Sequence, residues 1–404
     1  MESPLSLPSN PLPAPKKSRG FSTTVVVAIL IVGLVVGCGI GYAVTYVDFN
    51  NRLTNLQSQL GLYEGSSSGT STQTYLLNDN ISLASLYQAV KPSVVVIQDV
   101  VNAYTMFGQK AYSAQQGSGF VTVINNQKVV VTNDHVVTGA INVTVTFADG
   151  NSYEATILGT DLKADLAVLS VANIPASAVG LSLTSSNTLS VGDPVIAVGS
   201  PYGLQGTLTT GVISALGRTI IESDDTGRTT QYIPDTIQTS TPINSGNSGG
   251  PLLNYAGNVV GMTTAGIADS QGLGFAIPSS TIMREITSLV TTGSYDQHPS
   301  IDAEGVDMNY QIAQVMGTSV TYGWLVERVS ADNGLQGGDH YQAILGDNVI
   351  VGGDIIIAIN NVRIANTDDL LSYLERNTLP GQTASFTVVR DGQTQSVQVS
   401  IGKA

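Results

Sequence analysis

Cysteine is almost absent: the 404-residue chain holds one, Cys38, which excludes an intrachain disulfide and any thiolate-built metal site. Stability must then come from packing. Charge is scarce at 11% of residues, and it is one-sided, with 30 Asp and Glu against 16 Lys and Arg for a net charge of −14. A field of that sign repels phosphate backbones and anionic lipid surfaces, so no nucleic-acid partner is expected. Low charge together with 42% hydrophobic residues marks a globular chain long enough for two or three domains.

Between Arg19 and Asp48 no residue is charged, and "VVVAILIVGLVVGCGIGYAV" (25–44) supplies the roughly 20 apolar residues of a membrane-spanning helix. It is longer than a signal-peptide core and lacks a small-residue cleavage site. The expected order is a cytoplasmic tail over 1–20, a transmembrane helix over 21–47, and a stalk and linker over 48–80. Lys16, Lys17 and Arg19 precede the span and no basic cluster follows it, which keeps the N-terminus cytoplasmic and the rest outside. In the stalk, Phe49, Leu53, Leu56, Leu60 and Tyr63 repeat as a short heptad seam, and "SSSGTSTQT" (66–74) is linker-like.

From residue 81 short β-branched runs alternate with turn residues. "SVVVIQDV", "GSGFVTV", "KVVVTN", "NVTVTF", "SYEATIL" and "LAVLSV" form one set, while "DPVIAVG", "GTLTTGVISAL", "DTIQTS" and "NVVGMTTA" form a second. Two clusters of similar size predict two packed β-barrels over 81–293 with a cleft at their junction.

"INSGNSGGPL" (243–252) sets Ser248 among glycines. Upstream, His135 in "VVVTNDHVV" is the only histidine between residues 49 and 297, and Asp165 in "DLKADLAVLS" precedes an apolar strand. In chain order these supply a base, an orienting carboxylate and a nucleophile, the order of two-barrel serine proteases. Serine is a poor nucleophile until an imidazole takes its proton, and a carboxylate fixes which nitrogen is free to do so. Gly246, Asn247 and Ser248 form the candidate oxyanion hole, with the Gly246 and Ser248 N–H groups converging through a glycine-rich turn.

These residues, with "TNDHVV", "DLKADLAVL", "VGSPYGLQGTLTTGVISALGR", "INSGNSGGPLLNYAGNVVGM" and "GLGFAIPSS" in order, resemble the HtrA/DegP-type serine proteases, a trypsin-like double β-barrel followed by a PDZ domain. The resemblance implies a mostly β fold, a His135, Asp165 and Ser248 triad, ATP-independent degradation of misfolded or damaged exported polypeptides, and a homotrimer or a multiple of one. It implies neither cofactor nor metal. A catalytically weak PDZ-containing chaperone or adaptor is the competing class, and the filled triad positions favour the enzyme.

Asn247 stands where digestive relatives carry Asp. An amide has no charge to pair with a freed N-terminal ammonium, so the loops 218–235 and 265–272 are expected to order the site instead. Pro242 and Ile243 lie near the expected pocket for the side chain before the cut bond, and neither is charged, which favours aliphatic residues there. After a helix over 279–293, with Ser279 or Ser280 as its cap, and a linker over 294–300, residues 301–404 resemble a PDZ domain. Its expected carboxylate-binding loop is Tyr322, Gly323, Trp324 and Leu325, catching C-terminal peptides through backbone N–H groups. His298, in the linker, and His340, in a loop, carry no expected catalytic or metal role.

Overall fold

The third strand of the chain, Gln127–Thr132, is buried along Val129, Val130, Val131 and Thr132, and the two faces of the strand bury against different things. Side chains alternate across a strand, so Val130 enters the interior of the first barrel with Val95, Ile97, Val121, Val143, Val145 and Leu169. Val129 and Val131 face the other way, into a core shared with the second barrel. Burial on both faces is why this strand reads as a continuous apolar run rather than an alternation.

The computed structural model describes residues 82–104, 110–200, 206–223, 230–244, 246–266, 272–330 and 332–404. The tail, transmembrane helix, stalk and linker expected over 1–80 lie outside the described residues, as do the centres of the two expected regulatory loops, 224–229 and 267–271. Among the described residues no helix is long and apolar enough to cross a membrane.

Strands β1 (Val94–Tyr104), β2 (Lys110–Ile124), β3 (Gln127–Thr132), β4 (Ala140–Thr146), β5 (Ser152–Asp161) and β6 (Leu166–Val171) close into a barrel in the order β1-β2-β3-β6-β5-β4. Strands β7 (Pro194–Gly199), β8 (Thr207–Ser223), β9 (Thr230–Thr239), β10 (Pro251–Leu253), β11 (Val259–Gly266) and β12 (Gly274–Pro278) close a second, in the order β10-β11-β12-β9-β8-β7. In β7, Val195 and Ala197 fill the second barrel, while Ile196 and Val198 join the shared core with Phe120, Val168, Leu253 and Met262. Helix α1 (Leu83–Val90) and helix α2 (Ser279–Thr292) cover that core with Leu86, Val90, Ile282, Ile286 and Leu289. The expected serine cap of α2 is corrected: Pro278 is the N-cap and makes no side-chain cap bond. The Ser279 hydroxyl donates to Thr184 O instead, and Ser280 Oγ accepts from Ser186 N–H.

The C-terminal module is built on the sheet β14 (Ala303–Asp307), β15 (Trp324–Val329), β18 (Ile355–Ile359), β20 (Thr383–Arg390) and β21 (Gln393–Ser400), with β19 (Val362–Arg363) beside β18. Short strands β13 (Pro299–Ser300) and β22 (Gly402–Lys403) pair, and β16 (His340–Ile344) with β17 (Asp347–Val351) forms a separate hairpin. Helices α3 (Tyr310–Met316) and α4 (Thr367–Asn377) complete it. Asn366 caps α4 by accepting from Asp369 N–H at 2.9 Å. Trp324, Ile356, Leu370, Leu374 and Phe386 make one core.

Helix α4 also packs on the second barrel. Ser372 Oγ donates to Gly217 O at 2.9 Å, Asp368 accepts from Thr219 N–H at 2.8 Å and pairs with Arg218 at 3.0 Å, and Arg376 pairs with buried Asp235 at 2.5 Å. The stretch 294–300 is not a free linker: His298 is 5% exposed, bonded through Nε2 to Asp161 Oδ2 at 2.7 Å and through Nδ1 to Glu375 Oε1 at 2.9 Å. Burial alone would lower the His298 imidazolium, but its bonds to Asp161 and Glu375 outweigh that and hold it at about 9. Burial, reinforced by the Asp161 charge, pushes the neighbouring Glu285 carboxyl up to about 8.

Candidate active site

His135 lies three residues past the end of β3, in a tight turn where Asp134 O accepts from the N–H groups of Val137 (2.9 Å) and Thr138 (2.8 Å). Asp165 lies immediately before β6 in the left-handed region at φ 50°. Asn133 Nδ2 donates to Asp165 O at 3.0 Å, which ties the two segments through the backbone. The Asp165 carboxylate, 2% exposed, accepts from His135 N–H at 3.1 Å and lies 3.0 Å from His135 Nδ1 through both oxygens. Thr264 Oγ1 donates to its Oδ2 at 2.7 Å. A carboxylate facing Nδ1 requires the proton there, which leaves Nε2 with its lone pair as the base.

Ser248 reaches the same place from the second barrel. A cavity of about 460 Å³ is lined by His135, Val136, Gly246, Ser248 and the β2 residues Ala114, Gln115 and Gln116, so the candidate base and nucleophile share one concave site. Three contacts of Ser118 cross to the second barrel, two of them to the nucleophile loop. Ser118 N–H donates to Ser248 O at 2.7 Å, Ser118 Oγ donates to Gly246 O at 2.6 Å, and Ser118 Oγ accepts from Ser200 N–H at 2.9 Å. Gly249 has φ 85°, and a Cβ there would collide with Ser118 O and Thr132 Oγ1; only glycine admits this approach of backbone to backbone.

The expected oxyanion donors divide. Asn247 N–H is spent on Asn244 O at 2.9 Å, whereas among the described residues neither Gly246 nor Ser248 donates its N–H to a backbone carbonyl. The expectation that included Asn247 therefore narrows to its two neighbours. The Asn247 side chain, 3% exposed, is buried against Gly199. Pro242 is exposed and Ile243 half-buried, its Cδ1 lying over Gly274; neither lines the cavity that holds Ser248.

Thr263 and Thr264 were not singled out by sequence reasoning. Thr263 Oγ1 donates to Asn247 O and Gly250 O at 2.6 and 3.0 Å, and the next residue holds Asp165. A β-branched pair in a strand gives no local signal of such a role, because its partners lie 13 to 99 residues away in sequence.

The carboxylate-binding loop expected at Tyr322, Gly323, Trp324 and Leu325 is corrected by the sheet order. Trp324 and Leu325 open β15, which is paired on one side to Asp307 and Val306 of β14 and on the other to Ile356 and Ile355 of β18. Gly323 N–H donates to Ala365 O at 2.9 Å. An interior strand has no free edge for a peptide; the edge strand of this sheet on that side is β14.

Fold and site together define a class: a two-barrel, trypsin-like serine peptidase carrying a C-terminal PDZ module. The sequence matches the trypsin-like peptidase domain family over residues 117–262 and the PDZ domain family over residues 341–401. It is 34% identical over 337 residues to the Arabidopsis thaliana chloroplastic protease Do-like 1, covering 82% of this chain and 74% of the relative. It is 32% identical over 340 residues to the Escherichia coli periplasmic pH-dependent serine endoprotease DegQ, covering 79% and 70%. Among solved structures, the HtrA-type protease AlgW with a decapeptide aligns at TM-score 0.58 and 27% identity, over 80% of this chain and 99% of that one. The chain belongs to the HtrA/DegP family of serine endoproteases.

Proposed function

We propose that His135, Asp165 and Ser248 carry out ATP-independent hydrolysis of peptide bonds in unfolded or damaged exported polypeptides. The observation that carries this is the Asp165 carboxylate receiving three donors from His135 and Thr264 while His135 and Ser248 line one cavity. Nε2 accepts the Ser248 proton as Oγ attacks the carbonyl carbon; the resulting imidazolium is stabilised by Asp165 and returns the proton to the leaving amine. The Gly246 and Ser248 N–H groups meet the oxyanion. The aliphatic preference before the cut bond rests on the sequence alone, since Pro242 and Ile243 are uncharged but do not line the cavity at Ser248.

For the PDZ module the reading is strand addition of a substrate C-terminus at the β14 edge, beside α4, whose Thr367 N–H and Oγ1 both donate to Asp307 Oδ1 at 2.6 Å. The uncharged run 25–44 supports a membrane anchor with the catalytic and PDZ domains on the extracytoplasmic side. The periplasmic naming of the Escherichia coli relative agrees with that side. A homotrimer follows from the family resemblance and is read by light scattering.

The test is covalent labelling with a fluorophosphonate. Wild type is expected to label at Ser248, with labelling lost in Ser248→Ala and His135→Ala and an unfolded casein substrate cleaved in parallel. Undiminished labelling of Ser248→Ala, or an unlabelled wild type that only binds casein, would leave the chaperone class standing.

A further inference from the structure

At the junction of the two domains, outside the active site, three potential ligand atoms converge. Asp161 at the end of β5, Glu285 in α2 and His298 ahead of β13 each offer one atom, and these atoms all lie within 4.8 Å of one another in fully buried surroundings. Each group is held from behind by its other atom. Asp161 Oδ1 accepts from Lys163 N–H at 2.9 Å, Glu285 Oε1 pairs with Arg284, and His298 Nδ1 meets Glu375 Oε1 at 2.9 Å. Facing inward are Asp161 Oδ2 and His298 Nε2, which hydrogen-bond to each other at 2.7 Å, and Glu285 Oε2. The last of these is buried, on a residue 0% exposed, and has no hydrogen-bond partner.

An orphaned oxygen on a fully buried carboxylate is costly unless a cation meets it. The charges agree. Once a cation displaces the protons of the His298 imidazolium and the Glu285 carboxyl, Asp161, Glu285 and Glu375 against Arg284 leave a surplus of two negative charges, which one divalent cation cancels. Two carboxylate oxygens and one imidazole nitrogen suit zinc, and a histidine whose far nitrogen donates to a carboxylate, as Nδ1 does to Glu375, is the usual outer support of such a ligand. Tyr295 stacks edge-on against His298 with ring centroids 5.0 Å apart, and the Arg284 guanidinium lies 5.4 Å over the Tyr295 ring, so the surroundings are closed.

We propose that Asp161, Glu285 and His298 form a buried structural zinc site that fastens the PDZ domain to the protease barrels, with Glu375 of α4 as its outer support. The rival occupant is hydrogen: one proton on His298 Nε2 and one between Glu285 and Asp161 cancel the same charge.

The test uses the full chain in detergent, stripped with EDTA, and measures zinc by calorimetry and elemental content. The expected result is one zinc per chain, an upward shift in melting temperature with zinc, and visible absorption bands when cobalt replaces it. Glu285→Gln keeps a group able to donate to Asp161 and should fold while binding zinc at least 100-fold more weakly, a loss of about 2.7 kcal/mol. His298→Gln should lose the cobalt spectrum. His135→Ala should bind as wild type, which separates this site from the active site. Absence of stoichiometric zinc, equal affinity in folded Glu285→Gln, or loss of binding in His135→Ala would overturn the proposal; the first of these leaves protons as the occupants.

Discussion

Thr264 gives the sharpest test of how the site is held. Replacing it with valine keeps the side-chain shape and removes one hydroxyl, the 2.7 Å donor to Asp165 Oδ2. Asp165 is 2% exposed, so water cannot stand in for the lost donor. A hydrogen bond to a charged group nets about 1.5–3 kcal/mol, and at 1.36 kcal/mol per tenfold in rate its full loss lowers kcat/KM by about 10- to 100-fold. Because Thr264 touches Asp165 rather than substrate, the effect should fall on kcat with KM nearly unchanged. The assay is steady-state cleavage of a fluorogenic peptide by wild type, Thr264→Val and Thr264→Ser, with melting curves to separate catalysis from unfolding. Thr264→Ser should recover activity to within about fivefold, since it restores the donor. A Thr264→Val enzyme within about twofold of wild type, a difference worth under half a kcal/mol, would refute the view that Asp165 depends on its third donor.

Ser118→Ala removes both the donor to Gly246 O and the acceptor for Ser200 N–H; stability should fall by about 1–3 kcal/mol in urea unfolding, with slower fluorophosphonate labelling, and unchanged labelling would contradict the role given to Ser118. Gly249→Ala drives a methyl into Ser118 O and Thr132 Oγ1 at φ 85°, so labelling should vanish and the melting temperature drop; normal labelling would show that the two barrels need not approach there. Arg376→Ala leaves Asp235, 3% exposed, without its ion-pair partner, a change that costs about 3 kcal/mol or more for a buried pair. Wild-type resistance of this variant to urea and to limited proteolysis between the domains would sink the α4 docking argument.

The barrels were legible because their signal is local. Alternation within runs such as 142–147 and unbroken apolar stretches such as 129–131 are set by which faces of one strand are buried, and β4 and β3 lie there. The short strand β10 and the strand β12 carried no such run and were not among the expected strands. A candidate base, carboxylate and nucleophile could be named because the chemistry demands particular residue types in a fixed order. Thr264 could not, since many side chains in a strand can donate to a carboxylate once tertiary contact brings it near. The burial of His298 was illegible for the same reason: its carboxylates come from β5 and α4, 137 and 77 residues away, and nothing in "SYDQHPS" announces them. Tyr322–Leu325 failed because a motif names a strand but does not say whether that strand is an edge.

The same tertiary contacts also decide where the enzyme is vulnerable. Ser248 belongs to the second barrel and His135 to the first, and no contiguous stretch of chain fixes their separation. What fixes it is a small set of crossings: Ser118 on Gly246 and Ser248, Gly249 against Ser118 and Thr132, and Thr264 on Asp165. Thr263 and Thr264 are adjacent in β11, one bonded to the loop that carries Ser248 and the other to Asp165, so a shift of that strand moves both halves of the proposed proton relay together. Each of these bonds links the barrels or the triad, and none is made to substrate, so weakening them should slow the chemical step before it weakens binding. A double variant, Ser118→Ala with Thr264→Val, tests the coupling. If strand and loop act as one frame, the two losses in kcat will be non-additive by more than about 0.5 kcal/mol; strict additivity would mean that base and nucleophile are positioned independently.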